Sequence, residues 1–230
     1  MHTFFGLKNI HKIIFFGMLI FLQGCTFFGL YQNAYNSTLE YFNPRSINIT
    51  PHIKNLPYAM QIVEHKGESV IMVLSNASNQ HLDWVDSENN GLITFNGKII
   101  ASHGLSNNLA TIQSPNIKSI FEELKKNPDN EIKKNSWIRF LNPETSYLNA
   151  SHVFRILNSD PKDYFKRKID GKLISYSILE ERVEVSNINW KYTNTYWFDD
   201  NGKVFKSKQY ITPDQSKYFL ETLKAYAPKE

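Results

Sequence analysis

Carboxylates that could meet across a cleft are the first chemistry to look for, because hydrolysis of a glycosidic bond uses two of them. Asp83, Asp86 and Glu88 lie close together, and Glu180-Glu181 and Asp199-Asp200 are adjacent pairs. The first group lacks the ligand number and fixed glycine of a calcium loop, and it reads as a solvated turn between strands. The adjacent pairs cannot be shown to converge from a line of sequence, so a glycan-modifying enzyme stays a third reading. His52, His65, His81, His103 and His152 show no i, i+4 spacing of a zinc helix. No G-x-S-x-G and no glycine-rich phosphate loop occurs. A Ser-His-acid constellation has no support in the spacing. The reading is a non-enzyme, with no catalytic residue, no metal ligand and no cofactor.

The aromatic residues offer a different chemistry. Trp190, Tyr192 and Tyr196 share one face of a strand by even spacing, while Trp197 points to the other. Flanked by Lys191 and Asn194, these rings could stack on sugars and bond their hydroxyls, which makes Trp190, Tyr192 and Tyr196 candidate glycan-binding residues. The alternative is that one face is core and the other a cross-strand aromatic ladder.

The remaining reactive residue is the single cysteine. Lys8 and Lys12 precede ten almost wholly apolar residues, 13–22, and then Leu22-Gln23-Gly24-Cys25. A basic region, an apolar region and a small residue before a cut form the secretory signal pattern. Ten residues of helix rise only about 15 Å, and a bilayer core needs about 20 residues, so a permanent span is not expected. Leu-x-Gly-Cys resembles the lipobox of bacterial lipoproteins. That resemblance implies a diacylglycerol thioether on Cys25, cleavage before it, and acylation (palmitate, for example) of the new amine. Two or more acyl chains hold a protein stably on a membrane where one does not. Thr26 stands where an aspartate would resemble the inner-membrane retention signal, so the expected address is the periplasmic face of the outer membrane.

The elements that must position these residues follow from length and pattern. Removing 1–24 leaves enough chain for one large domain or two small ones. The leader carries two lysines and no acid, so the net charge of +4 falls to about +2. That value argues against a nucleic-acid partner, as does the lack of a basic block. With Cys25 lipidated no thiol remains for a disulfide, and the apolar core must hold the fold by itself.

The segment 27–42 shows helical spacing ended by Pro44, and 43–55 reads as an extended tether. Strands are expected at 58–65, 68–75, 82–85, 92–95, 98–102, 137–141, 153–157, 172–185, 189–198 and 203–211. The run Val70-Ile71-Met72-Val73-Leu74 suggests a strand covered on both faces. Lys66-Gly67, Asn96-Gly97, Asp170-Gly171 and Asn201-Gly202 supply tight turns. Ser114 as cap, Pro115 in the first turn and the stripe Ile117, Ile120, Phe121 and Leu124 predict one helix, stopped before Pro128. The tail 215–227 fits helix or strand. Consecutive hairpins with one inserted helix give a mainly β (α+β) fold: a curved antiparallel sheet forming a barrel or half-barrel, with one or two short helices.

Several stretches taken together, Leu56-Pro57-Tyr58-Ala59, the Trp84 segment, Thr94-Phe95-Asn96-Gly97-Lys98, Gly104-Leu105 through Asn108-Leu109, and Asn194-Thr195-Tyr196-Trp197-Phe198-Asp199 through Gly202-Lys203-Val204, resemble the YjbF/GfcB lipoprotein family in order and extent. The resemblance implies an outer-membrane lipoprotein associated with exopolysaccharide or group 4 capsule assembly and export, with no established enzymatic reaction, and an extended tail, so strand is preferred at 215–227. It divides the chain into a signal peptide (1–24), a lipidated Cys with short helix and tether (25–55), and a β-rich domain (56–230). The expected function is that of a non-enzymatic accessory that binds glycan or an export partner. Expected partners are the membrane, through Cys25, and a polysaccharide or export-machinery proteins. The alternative is a lipid or lipoprotein carrier whose half-barrel encloses an apolar cavity.

Overall fold

In the computed structural model the described residues are 56–78, 80–105, 108–141, 144–157, 173–214 and 216–227, with the backbone alone of 164–166. Cys25, the helix expected at 27–42 and the tether at 43–55 lie outside them, as does the turn at Asp170-Gly171.

Fourteen strands are described: β1 (Met60–His65), β2 (Glu68–Ser78), β3 (His81–Val85), β4 (Gly91–Phe95), β5 (Lys98–His103), β6 (Leu109–Gln113), β7 (Ile132–Phe140), β8 (Leu148–Leu157), β9 (Tyr164–Lys166), β10 (Leu173–Ser175), β11 (Ser177–Val185), β12 (Trp190–Phe198), β13 (Val204–Tyr210) and β14 (Lys217–Lys224). One helix, α1 (Ile117–Lys126), lies between β6 and β7. Twelve strands form one antiparallel sheet in the order β5-β4-β3-β2-β1-β14-β13-β12-β11-β8-β7-β6, and β9 pairs with β10 as a separate hairpin. Each strand of the large sheet lies beside its neighbour in the chain, apart from that excursion, and β14 zips onto β1. The result is a nearly closed up-and-down barrel, open only between β5 and β6.

Side chains rather than a backbone ladder close that seam. Ser102 Oγ on β5 accepts the Leu109 N–H of β6 at 2.9 Å. From across the interior, the Gln209 amide of β13 accepts the Ile99 N–H at 2.9 Å and donates to the Gly97 carbonyl at 2.9 Å. A strand edge left with bare backbone groups costs stability and invites foreign pairing, and Gln209 answers both for β5. The turn before β5 is Asn96-Gly97, with φ of 50° and 86°, the left-handed pair that a two-residue hairpin needs. Gly97 is required twice over, since a Cβ there would lie 2.5 Å from Val204 Cβ.

Helix α1 carries the expected stripe, with Ile117, Ile120, Phe121 and Leu124 buried and Lys125 and Lys126 in its last turn. Its cap is Asn116 rather than Ser114. The Asn116 side chain accepts the N–H groups of Lys118 and Ser119, whereas the Ser114 hydroxyl donates to the Pro115 carbonyl. The stripe packs on Phe154, Leu179, Tyr196 and Phe198, with Phe121 stacked on Phe198 at 4.1 Å between centroids. Those four side chains share inward positions of β8, β11 and β12, so α1 stops one end of the barrel. A second apolar cluster, including Met72, Trp84, Leu92, Ile138, Val183, Trp190 and Leu220, fills the rest.

Three further expectations change. β2 is not covered on both faces: Met72 is buried on one, while Ile71 and Val73 on the other are only half-buried. β7 begins at Ile132 and β8 at Leu148, well before the apolar segments at 137 and 153. The segment 172–185 is two strands, of which β10 belongs to the separate hairpin. The tail is strand β14, as preferred.

Candidate functional site

Between the two apolar clusters lies a layer of polar residues, each at an inward position two residues from apolar neighbours. Glu181 sits between Leu179 and Val183, His152 between Ala150 and Phe154, and Asn194 between Tyr192 and Tyr196. Glu181 is the hub. Oε1 accepts from Lys98 Nζ and lies 2.7 Å from His152 Nδ1; Oε2 accepts from the Tyr196 hydroxyl at 2.7 Å and from Asn194 Nδ2 at 2.9 Å. His152 Nε2 meets the Ser136 hydroxyl at 2.5 Å. Asn194 Oδ1 accepts the Tyr210 N–H at 2.9 Å. Burial by itself would raise the Glu181 carboxyl, but the Lys98 ammonium and the His152 hydrogen bond outweigh it and hold the group well below the usual carboxylate range. The same burial, together with the Glu181 charge, pushes the Tyr196 and Tyr192 hydroxyls up.

Ser136, His152 and Glu181 thus stand in the hydrogen-bond order of a Ser-His-acid triad, which nothing in their spacing announced. A nucleophile must face a place where a substrate can sit. Ser136 is 4 % exposed and His152 1 %, and the carboxylate is already engaged by Lys98. The arrangement is that of a closed ionic layer that ties β5, β7, β8, β11 and β12 together. It also places charge at the centre of the barrel, where an acyl carrier would need an apolar void.

The other carboxylates do not converge. Asp86 accepts the N–H groups of Glu88 and Asn90 at 2.8 and 2.9 Å and closes the turn between β3 and β4. Glu180 points outward to Arg155 at 2.7 Å while Glu181 points in, and Asp199 caps the turn at Asn201 and Lys203. Among the described residues no three His, Cys, Asp or Glu side chains are grouped to hold a metal ion.

Trp190, Tyr192 and Tyr196 occupy inward positions of β12 with 5, 8 and 0 % of their surface exposed. Trp190 stacks on Tyr192 at 4.1 Å, and Tyr196 is spent on Glu181. In this structure none of the three offers a face to a sugar. Among the described residues the exposed aromatics are Tyr58, Tyr226 and a neighbouring pair, Trp137 on β7 and Tyr147 just before β8, which are 45 and 60 % exposed. With Thr111 and Gln113 this pair lines an open cavity of about 360 Å³. A second cavity, of about 480 Å³, shares Gln113 and Trp137 and runs on past Asn135 and Lys134 to Ser119 and Glu123 of α1. The sequence signal for this site is the alternation of β7, in which Trp137 falls on the face of Asn135 and Arg139 and opposite that of Ser136, Ile138 and Phe140.

The class this defines is structural: a nearly closed antiparallel barrel with a filled, ionic centre and an aromatic groove on its wall. The family described as "Group 4 capsule polysaccharide lipoprotein gfcB, YjbF" matches residues 32–223, and the chain belongs to it. Two relatives from Escherichia coli (strain K12) are "Uncharacterized lipoprotein YjbF", 24 % identical over 70 % of this chain and 73 % of that protein, and "Uncharacterized lipoprotein GfcB", 23 % identical over 84 % and 88 %. The crystal structure of the hypothetical lipoprotein YmcC from Escherichia coli (K12) shares the fold, with a TM-score of 0.60, 20 % identity, and 74 % of this chain and 88 % of that chain covered.

Proposed function

We propose that the chain is an outer-membrane lipoprotein, held by acylated Cys25 at the periplasmic face, that serves capsule or exopolysaccharide assembly or export as a non-enzymatic accessory. The observation that carries this is the match of residues 32–223 to a capsule polysaccharide lipoprotein family. Residues 1–24 are the cleaved signal, 25–55 the anchor and tether, and 56–230 the working body. The mode of action is binding, by holding a glycan or docking an export partner near the membrane. The closed Ser136–His152–Glu181 layer, which gives a substrate no access, supports binding over catalysis.

Two experiments test this. Deletion of the gene in its own host, under conditions where surface polysaccharide is made, is expected to change the polysaccharide's amount or chain length; an unchanged product overturns the assignment. Metabolic palmitate labelling is expected to mark the wild-type protein and to be lost in Cys25→Ser. Label that persists in the variant removes the anchor.

A further inference from the structure

The outer faces of β6, β7 and β8 carry a pattern that the barrel itself does not need. The register places Gln113, Trp137 and Asn149 side by side across the three strands. The row below pairs Asn135 with Ser151, and the row above pairs Thr111 with Arg139, beside Tyr147. Trp137 and Tyr147 stand edge to face at 6.4 Å and 89°. Indole surface left in water forgoes roughly 25 cal/mol per Å² of burial, so an exposed Trp flanked by two amides is a costly use of a strand position.

The chemistry of the rows selects the ligand. A pyranose presents an apolar C–H face and a rim of hydroxyls. The indole takes the face, and Gln113 and Asn149, one strand spacing of about 4.8 Å to either side, each bring a donor and an acceptor to the rim. Arg139 is engaged by Glu144 at 2.7 Å, which leaves the rows mostly neutral. A nucleic acid would need a continuous basic track, and an amphipathic helix a continuous apolar stripe; the described residues of this face form neither. The two cavities that share Gln113 and Trp137 make the site long, suited to several sugars of a chain rather than to one. We infer that the groove over β6–β8 is a carbohydrate-binding site that holds an internal stretch of a polysaccharide, with Trp137 as the stacking platform. This deepens the accessory reading above and rests on it for the identity of the glycan.

The test is calorimetric titration of the full-length lipoprotein in detergent micelles with oligosaccharides cut from the surface polysaccharide of the source strain. Wild type is expected to bind. Trp137→Ala is expected to weaken binding roughly tenfold or more and Tyr147→Ala to weaken it by less, while Trp137→Phe recovers part of the loss. Trp197→Phe, a change far along the outer wall, is expected to leave binding unchanged. Wild type that binds none of the oligosaccharides overturns the inference, as does Trp137→Ala binding like wild type. So does a groove whose variants lose an export protein while never binding sugar, which would assign the face to a protein. The gene deletion separates the two claims. Altered polysaccharide with no glycan binding sinks the groove alone, and glycan binding with unaltered polysaccharide sinks the accessory role alone.

Discussion

Lys98→Met removes the cation from a carboxylate that has no route to water. Glu181 is fully buried and Lys98 is 2 % exposed, so the pair is desolvated on both sides. Methionine keeps the stem packed and takes away only the ammonium, which leaves His152, Tyr196 and Asn194 to support the charge. Breaking one side of a buried pair costs about 3–5 kcal/mol. A domain is stable by only about 5–15 kcal/mol, so the variant should sit near the edge of folding. The assay is urea unfolding of the detergent-solubilised chain, followed by tryptophan emission. Glu181→Gln in the same chain is the control. With the charge gone, the double variant Lys98→Met/Glu181→Gln should regain at least about 2 kcal/mol over Lys98→Met, because the amide still offers an oxygen to Tyr196 and Asn194. A Lys98→Met loss below about 1 kcal/mol, or a double variant as weak as the sum of the singles, would refute the buried ionic layer.

Acid should act through the same group. The Glu181 carboxyl is held below its ordinary value in the folded chain, so its contribution is complete above the unfolded value of about 4.3 and is lost as pH falls through the folded value. The urea midpoint is therefore expected to drop from pH 5 toward pH 2 in wild type and to drop less in Glu181→Gln. Gly97→Ala places a Cβ 2.5 Å from Val204 at a φ of 86°, and should lower stability by about 2–4 kcal/mol in the same urea assay. Gln209→Leu strips the Ile99 N–H of its acceptor at the β5 edge, and should cost about 1–3 kcal/mol and speed hydrogen exchange at that amide.

Most of the barrel was legible because its hairpins declare themselves. Asn96-Gly97 and Lys66-Gly67 both carry the left-handed angles that a tight turn asks for, and the strands beside them alternate. What escaped was strand that is not apolar. The first residues of β7, Ile132-Lys133-Lys134-Asn135, are paired to β8 but mostly exposed, so hydrophobic pattern could not extend the strand to them. Leu109–Gln113 is only five residues long, and its place is set by β7 and the seam rather than by propensity. The run Val70-Ile71-Met72-Val73-Leu74 errs the other way: its continuous apolar character suggests cover on both faces, yet Met72 is the one side chain of the five that is buried.

The ionic layer was half written in the sequence. Leu179-x-Glu181-x-Val183, Ala150-x-His152-x-Phe154 and Tyr192-x-Asn194-x-Tyr196 each put one polar residue into an apolar alternate series, and a polar residue on a buried face must find a partner. Which partner was not legible, since Lys98 is 83 residues from Glu181 and only barrel closure joins them. The outer groove follows from the same parity. Ser136 turns inward to His152, so Trp137 must turn outward, and the hydrogen bond that fixes the one sets the direction of the other. The layer that fills the barrel pins, through Ser136, the strand on which the exposed indole stands.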